Sequence, residues 1–413
     1  MVDRDANGWY ARGLTPHTPD NGRDGSVDGV EAFGEDTLVV RSDRIVTPDG
    51  IRSGQLVVRG DRIRGIDRGC PRSAEHAVDA RGLVVVPGLV DLHGDELERY
   101  VHPRDAARES IDSALTACDR ALLAAGITTK CHAIAFEDVP ERNRSHDLAA
   151  ELSMRIAAGD VGLADHRVHP RCELSDPVSV DAVTELLGRF DVDLVSMMNH
   201  APGQGQFADE QRFEQQYPTA AANGSGLVDR RLAVDAGTIE ARRRRLAAAA
   251  RDTGTTLATH DDDDPDQLAR TAAQGVSIAE FPVSLPVARR ARALGLTVAM
   301  GAPNLVRGGS MWGNLAVAEA VDAGVVDVLC SDYRAASMLE AAFVETGEPL
   351  PERIARVTSA PADAIGLSDR GRLEPGARAD LLLVDPTAGP TVRATVVAGT
   401  PVYRAGEPLP SLD

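Results

Sequence analysis

The segment PGLVDLHGD ends a short apolar run on a histidine and an aspartate, His93 and Asp95, two residues apart. Side chains two apart on an extended chain share a face, so imidazole and carboxylate project together from a strand end. Such a pair suits a zinc-like or manganese-like divalent ion. Four more groups stand in the same kind of place: Glu173 in HPRCE, His200 in SMMNH, His260 in LATHDDDD and Asp332 in LCSDY. Each closes a short apolar run that a helical pattern follows. Ligands gathered from several strand ends describe the catalytic face of a (β/α)8 barrel, and the chemistry they predict is metal-dependent hydrolysis. Asp332 is expected both to touch the metal and to act as the catalytic base that takes a proton from water. Glu280, in AEFP, is a further ligand candidate ranked below these.

Each group also has a plainer reading. His93 and Asp95 could cap a turn, Glu173 could pair with Arg167 or Arg171, and His200 could be a satisfied core histidine. The acidic run Asp261–Asp264 reads as a solvated capping loop. His132, His166 and His169 read as structural groups or as supports behind the ligands. Lys130 is the sole lysine of the chain. With Glu173 available to bridge two cations, Lys130 is expected to be structural or substrate-facing.

The run GAPNLVRGGS offers a second chemistry. Its glycines, Gly308 and Gly309, would let backbone N–H groups approach an anion, and Arg307 offers a planar fork to phosphate oxygens, with Asn304 beside it. Neither a Walker loop nor GxGxxG follows a strand, which disfavours P-loop nucleotide hydrolysis.

These residues need a scaffold that brings strand ends together. Strand-like runs fall at 88–93, 127–134, 166–173, 191–200, 255–260, 276–281, 296–301 and 325–332. Helical patterns lie between them, at 111–125, 146–158 and 239–250 among others. Eight strand–helix units predict an α/β fold, a TIM-like barrel of parallel strands, with a doubly wound open sheet as the alternative. Alternating β patterns before and after this body pair into one discontinuous β-sandwich domain. The expected division is a disordered acidic tail at 1–36, sandwich at 37–86, barrel at 87–366 and sandwich again at 367–413. The stretch 202–238 is too long for an ordinary loop and reads as a functional lid or insertion.

Composition narrows the partners. The 413-residue chain is 43% hydrophobic but 3% aromatic, so its core must be aliphatic. A net charge of −19 disfavours nucleic acid, though local arginines can still hold a small phosphorylated substrate. An acidic surface almost without lysine fits either a high-salt cytoplasm or GC-rich codon bias. Five cysteines without CxxC spacing read as reduced thiols, and no apolar run approaches the roughly 18 residues of a membrane span. The expectation is a cytoplasmic enzyme with no membrane partner.

PGLVDLHGDELERYVHPR, HPRCEL, NHAPGQGQF, THDDDDPD, AEFPVSLPVARRA, MGAPNLVRGGS, SDYRAASML and GLSDRGRLEPGARADLLLVD together resemble the amidohydrolase superfamily. Within it they look like the PhnM branch, the α-D-ribose 1-methylphosphonate 5-triphosphate diphosphatases of the carbon–phosphorus lyase pathway. The resemblance runs from about residue 38 to the end. It implies a barrel with a flanking sandwich and one or two divalent ions, zinc first, with manganese, iron or nickel as alternatives. It also implies release of pyrophosphate from a small phosphorylated ribose-phosphonate; a homodimer is left open. Asp95 departs from the superfamily's usual HxH but agrees with this branch. Gly205, the pair Met311–Trp312 and Asn199 depart from the branch near the expected substrate mouth. Two rival readings stand beside it: a hydrolase of cyclic amides, N-acyl groups or amino-heterocycles, and an inactive binding subunit of a phosphonate-processing assembly.

Overall fold

A computed structural model describes residues 37–67, 76–104, 107–202, 205, 226–311, 313–407 and 409–411. The tail at 1–36 and most of the expected insertion lie outside the described residues.

Eight parallel strands form the body: β6 (Leu89–Gly94), β7 (Ile127–Phe136), β8 (Asp165–Glu173), β9 (Leu194–Met198), β10 (Thr256–His260), β11 (Ile278–Glu280), β12 (Thr297–Gly301) and β13 (Val328–Cys330). Their order in the sheet is their order in sequence, and every pairing is parallel. The first and last strands meet at a Gly94–Asp332 bridge. There Asp332 N–H donates to the His93 carbonyl at 2.8 Å, and Asp95 N–H donates to the Asp332 carbonyl at 2.9 Å. The sheet is thus a nearly closed barrel, which decides against the open alternative. Its interior is aliphatic, with Val90, Leu92, Leu194, Ala258, Ile278 and Val328 packed on Ala362 and Ile365.

A separate sheet joins the chain ends. Its order is β16 (Thr400–Arg404), β15 (Thr391–Val397), β14 (Leu381–Asp385), β5 (Val84–Pro87), β1 (Thr37–Thr47), β2 (Gly50–Arg59) and β3 (Arg62–Asp67), with β4 (His76–Asp79) also on β1. It has its own core around Leu38, Ile45, Leu56, Val85, Leu381 and Leu383. The helix Ile111–Ala125 shows why sequence and structure agree on the body. Ser110 accepts from Ser113 N–H to cap it, Leu115, Cys118 and Leu122 bury one face, and Gly126 ends it at φ +86°. A side chain at Gly126 would strike Leu382, so glycine also lets this helix end dock on β14. Among the described residues, no helix is long and apolar enough to cross a membrane.

One charged cluster lies inside the seam. Lys130 is completely buried, and its Nζ donates to Asp91 at 2.6 Å, Glu96 at 2.9 Å and Ser331 at 3.0 Å. Asp91 also accepts the backbone N–H groups of Ser331 at 3.0 Å and His93 at 3.2 Å. Lys130 is therefore structural, and no side chain fits at Gly94, where a Cβ would overlap its ammonium. Two carboxylates left around an apolar side chain would be uncompensated in low dielectric, so Lys130→Met should destabilise by about 3–5 kcal/mol. Chemical denaturation checks this, and adding Asp91→Asn should restore part of the loss.

Candidate active site at the barrel mouth

β8 alternates its side chains, sending His169, Arg171 and Glu173 to one face while His166 turns out to Asp119, 3.0 Å away. His169 thereby joins His93 and Glu280, the last residue of β11. His93 Nδ1 is 3.0 Å from Glu280 Oε1, and His169 Nε2 is 3.9 Å from Glu280 Oε2. The Leu92 carbonyl, 2.8 Å from His169 Nδ1, can only accept, so it fixes the proton there and leaves Nε2 as a lone pair. Burial is the main cause holding His93 well below its ordinary range, with Arg171 adding to it; burial likewise brings His169 down to about 3. Both imidazoles are neutral, the form that binds metal.

A second group forms where β9 and β10 end. His200 Nε2 and His260 Nδ1 lie 3.6 and 2.9 Å from Asp261 Oδ2. Burial opposes charge on Asp261, yet His260 and His200 outweigh it and hold the carboxyl below the usual range. Behind His200, Glu173 Oε2 lies 3.2 Å from Nδ1. Glu173 Oε1 accepts from Ser175 N–H at 3.0 Å and Ser175 Oγ at 2.6 Å, and Oε2 accepts from His200 N–H at 3.2 Å. Burial raises Glu173, but Arg231 and His200 more than offset this, so it stays ionised.

Asp95 and Asp332 close the ring. Asp95 sits 3.5 Å from both Arg144 and Arg171, which overcome burial and lower its pKa. Arg171 also reaches His260 Nε2 at 3.2 Å. Burial, with Asp95 adding repulsion, pushes Asp332 up to about 8. Just past the ends of barrel strands, three non-glycine residues among the described ones adopt left-handed backbone: Asp261 at φ 57°, Phe281 at 52° and Asp332 at 55°. Such turns are uncommon outside glycine and cluster where function re-aims a side chain. Phe281 thereby brings its ring to 4.9 Å from that of His93 and 5.1 Å from that of His260.

His93, Asp95, His200, His260 and Asp332 all line one open pocket of about 600 Å³, as do Asn304 and Arg307. Glu173 does not line it; its carboxylate, held by Ser175 and His200, lies behind His200. It pairs with neither Arg167, which holds Asp165 and Asp193, nor Arg171. The anion cradle expected of Gly308 and Gly309 also needs correction. Both N–H groups donate to the Asn304 carbonyl and close the short helix Ala302–Arg307, so they are not turned to a ligand. Asn304 itself is held by Leu315 and Val317. Sequence reading underrated His169, whose signal was its even spacing from Arg171 and Glu173, and set aside Asp261, concealed in an acidic run. Met311 lines the mouth, and Gly205 N–H donates to Asp263; Trp312 lies outside the described residues.

The donor set fits a divalent ion. Glu280 Oε2 is buried without a hydrogen-bond partner, and His260 Nδ1 and Asp261 Oδ2 approach closely without hydrogen-bond geometry. Two sets, His93–His169–Glu280 and His200–His260–Asp261, each place their donor atoms within 4.8 Å of one another. A third, Glu137–Glu173–His200, is already neutralised by Arg144 and Arg231 on Glu137.

A barrel with nitrogen and oxygen donors converging at its strand C-termini defines a class of hydrolase, and the sequence agrees: residues 94–403 match the amidohydrolase family, to which the chain belongs. It is 36% identical over 361 residues, 84% of this chain and 94% of the relative, to α-D-ribose 1-methylphosphonate 5-triphosphate diphosphatase of Escherichia coli (strain K12). Among solved structures, a D-hydantoinase from a Bacillus sp. AR9 shares the fold at TM-score 0.60 and 11% identity, covering 89% of this chain and 95% of its own. N-acetyl-D-glucosamine-6-phosphate deacetylase from Mycobacterium smegmatis does so at 0.58 and 19%, covering 89% and 100%.

The neutral histidines predict a pH dependence for the metal-free protein. The folded value of about 3 for His169 lies below the ordinary 6.5, so the unfolded chain takes up its proton first. The stabilising contribution is present above about pH 6.5 and is lost as pH falls towards 3, amounting to a few kcal/mol. His169→Asn should flatten the decline measured by denaturation in chelator across that window.

Proposed function

We propose that this chain is a metal-dependent hydrolase that releases pyrophosphate from α-D-ribose 1-methylphosphonate 5-triphosphate, in phosphonate catabolism. What carries the reading is the near full-length similarity to the Escherichia coli enzyme together with a donor-lined mouth on a parallel barrel. His93, Asp95, His200, His260 and Asp332 are assigned to hold one or two divalent ions, zinc first, joined by Glu280, His169 and Asp261. Glu173 is assigned to orient His200, a carboxylate–histidine pairing that fixes the ring and its tautomer. When bound, the ion acidifies the attacking water and offsets charge on the phosphoryl oxygens.

The residues of the chain then divide the remaining work. Asp332, at the seam beside Asp95, accepts the water's proton as the oxygen attacks the phosphorus nearest the ribose. The bond from that phosphorus to the bridging oxygen breaks, and pyrophosphate leaves with the electron pair. Phe281 packs its ring against those of His93 and His260. Arg307 offers charge-assisted hydrogen bonds to the phosphates at the mouth. The acidic balance disfavours nucleic acid as a partner, and a cytoplasmic homodimer is compatible with this reading.

A pyrophosphate-release assay with the triphosphate tests the activity directly; no release by metal-loaded protein rejects it. His93→Ala should lose bound metal while the fold survives, and full occupancy by elemental analysis would remove His93 from the ligand set. Asp332→Asn keeps an oxygen in place but cannot take the proton, so kcat should fall by roughly 10²–10⁴ with metal largely retained. A wild-type rate would remove Asp332 from the mechanism.

A further inference from the structure

Among the described residues, five arginines line the mouth of a chain whose net charge is −19. Two of them are committed to carboxylates. Arg144 binds Glu137 at 2.8 Å and approaches Asp95 and Glu98, while Arg171 lies between Asp95 and His260. Arg142 has partners of its own. The other two differ. Arg99, in the short helix Leu97–Val101 that follows β6, is exposed and forms no ion pair among the described residues. Arg307 follows β12, and among the described residues its guanidinium donates to neutral acceptors, Tyr333 Oη at 2.7 Å and the Gly309 carbonyl at 2.8 Å. Its position is fixed, and it forms no ion pair among the described residues.

Topology puts these two charges on one arc. β12, β13 and β6 are consecutive around the barrel, and Tyr333 directly follows Asp332 at the seam between them. The metal-type donors His169, His200, His260 and Glu280 belong to the other arc, on or just after β8 to β11. A phosphoryl group reacting beside Asp332 thus has the guanidinium groups of Arg99 and Arg307 on the seam side and the imidazoles of His169, His200 and His260 across from them. A fixed guanidinium with neutral partners is suited to the oxygens of a polyphosphate, because binding adds charge pairing without breaking an existing pair.

Building on the triphosphate reading, we infer that Arg99 and Arg307 grip the two distal phosphates, the part that departs as pyrophosphate. Tyr333 is the positioning residue that holds Arg307 for that contact. The clamp makes the site read the length of the polyphosphate tail.

The test is binding of pyrophosphate to the metal-loaded enzyme by calorimetry, together with kinetics on ribose 5-triphosphate and 5-diphosphate analogues. Arg99→Ala and Arg307→Ala should each weaken pyrophosphate binding by about 10-fold to 100-fold and reduce the preference for triphosphate over diphosphate by a similar factor. Arg307→Lys should recover only part of the affinity. Tyr333→Phe, which removes one oxygen, should weaken pyrophosphate several-fold with metal content unchanged. Unaltered pyrophosphate affinity in both alanine variants, or equal losses on the two analogues, overturns the clamp. A wild type that releases no pyrophosphate from the triphosphate rejects the proposed activity instead; the binding measurement then still decides the clamp.

Discussion

The first and last barrel strands touch through little backbone, yet the reacting groups straddle their junction. Two hydrogen bonds, Asp332 N–H to His93 and Asp95 N–H to Asp332, join the strands where their side chains enter the mouth. Beneath them Lys130 gathers Asp91, Glu96 and Ser331 into a buried cluster. Asp91 then holds the backbone of both His93 and Ser331. A buried ion cluster is weak evidence for stability in itself, because desolvation opposes the attraction between its charges. Its value here is directional: every member is fixed by another, and together they set where His93, Asp95 and Asp332 can lie.

Around that seam the protein separates two electrostatic tasks. Burial outweighs the nearby carboxylates and keeps His93 and His169 neutral. Carboxylate pairing does the reverse for His200, where Asp261 and Glu173 outweigh burial and raise its pKa. Left-handed turns at Asp261, Phe281 and Asp332 aim the groups that bound this space. Aspartate tolerates that backbone better than most residues, which fits its use at two of the three turns.

Net charge and local charge point in opposite directions. A strongly acidic chain collects arginines at one opening and neutralises only part of them. Those nearest the donors are paired with buried carboxylates, whereas Arg99 and Arg307 at the rim are not. An anionic substrate meets that local field at close range, where it outweighs the distant surface charge screened by salt.

The eight strands and the helix Ile111–Ala125 were legible in the sequence because burial imposes period two or 3.6 on apolar residues. Strand-end placement of His93, His260 and Asp332 was legible for the same reason, since it depends only on where an apolar run stops. What each group touches was not. Glu173 and His169 share one strand face, but Ser175 and His200 satisfy the first while Glu280 faces the second. Gly308 and Gly309 carried the composition of an anion loop, yet the carbonyl of Asn304 takes their N–H groups. Asp261 looked like one of four solvated acids until a left-handed turn carried it between His200 and His260. Local pattern determined the elements and their ends, because it records burial along the chain. Only tertiary structure decided the partners, because hydrogen bonds and charges are satisfied by residues far away in sequence.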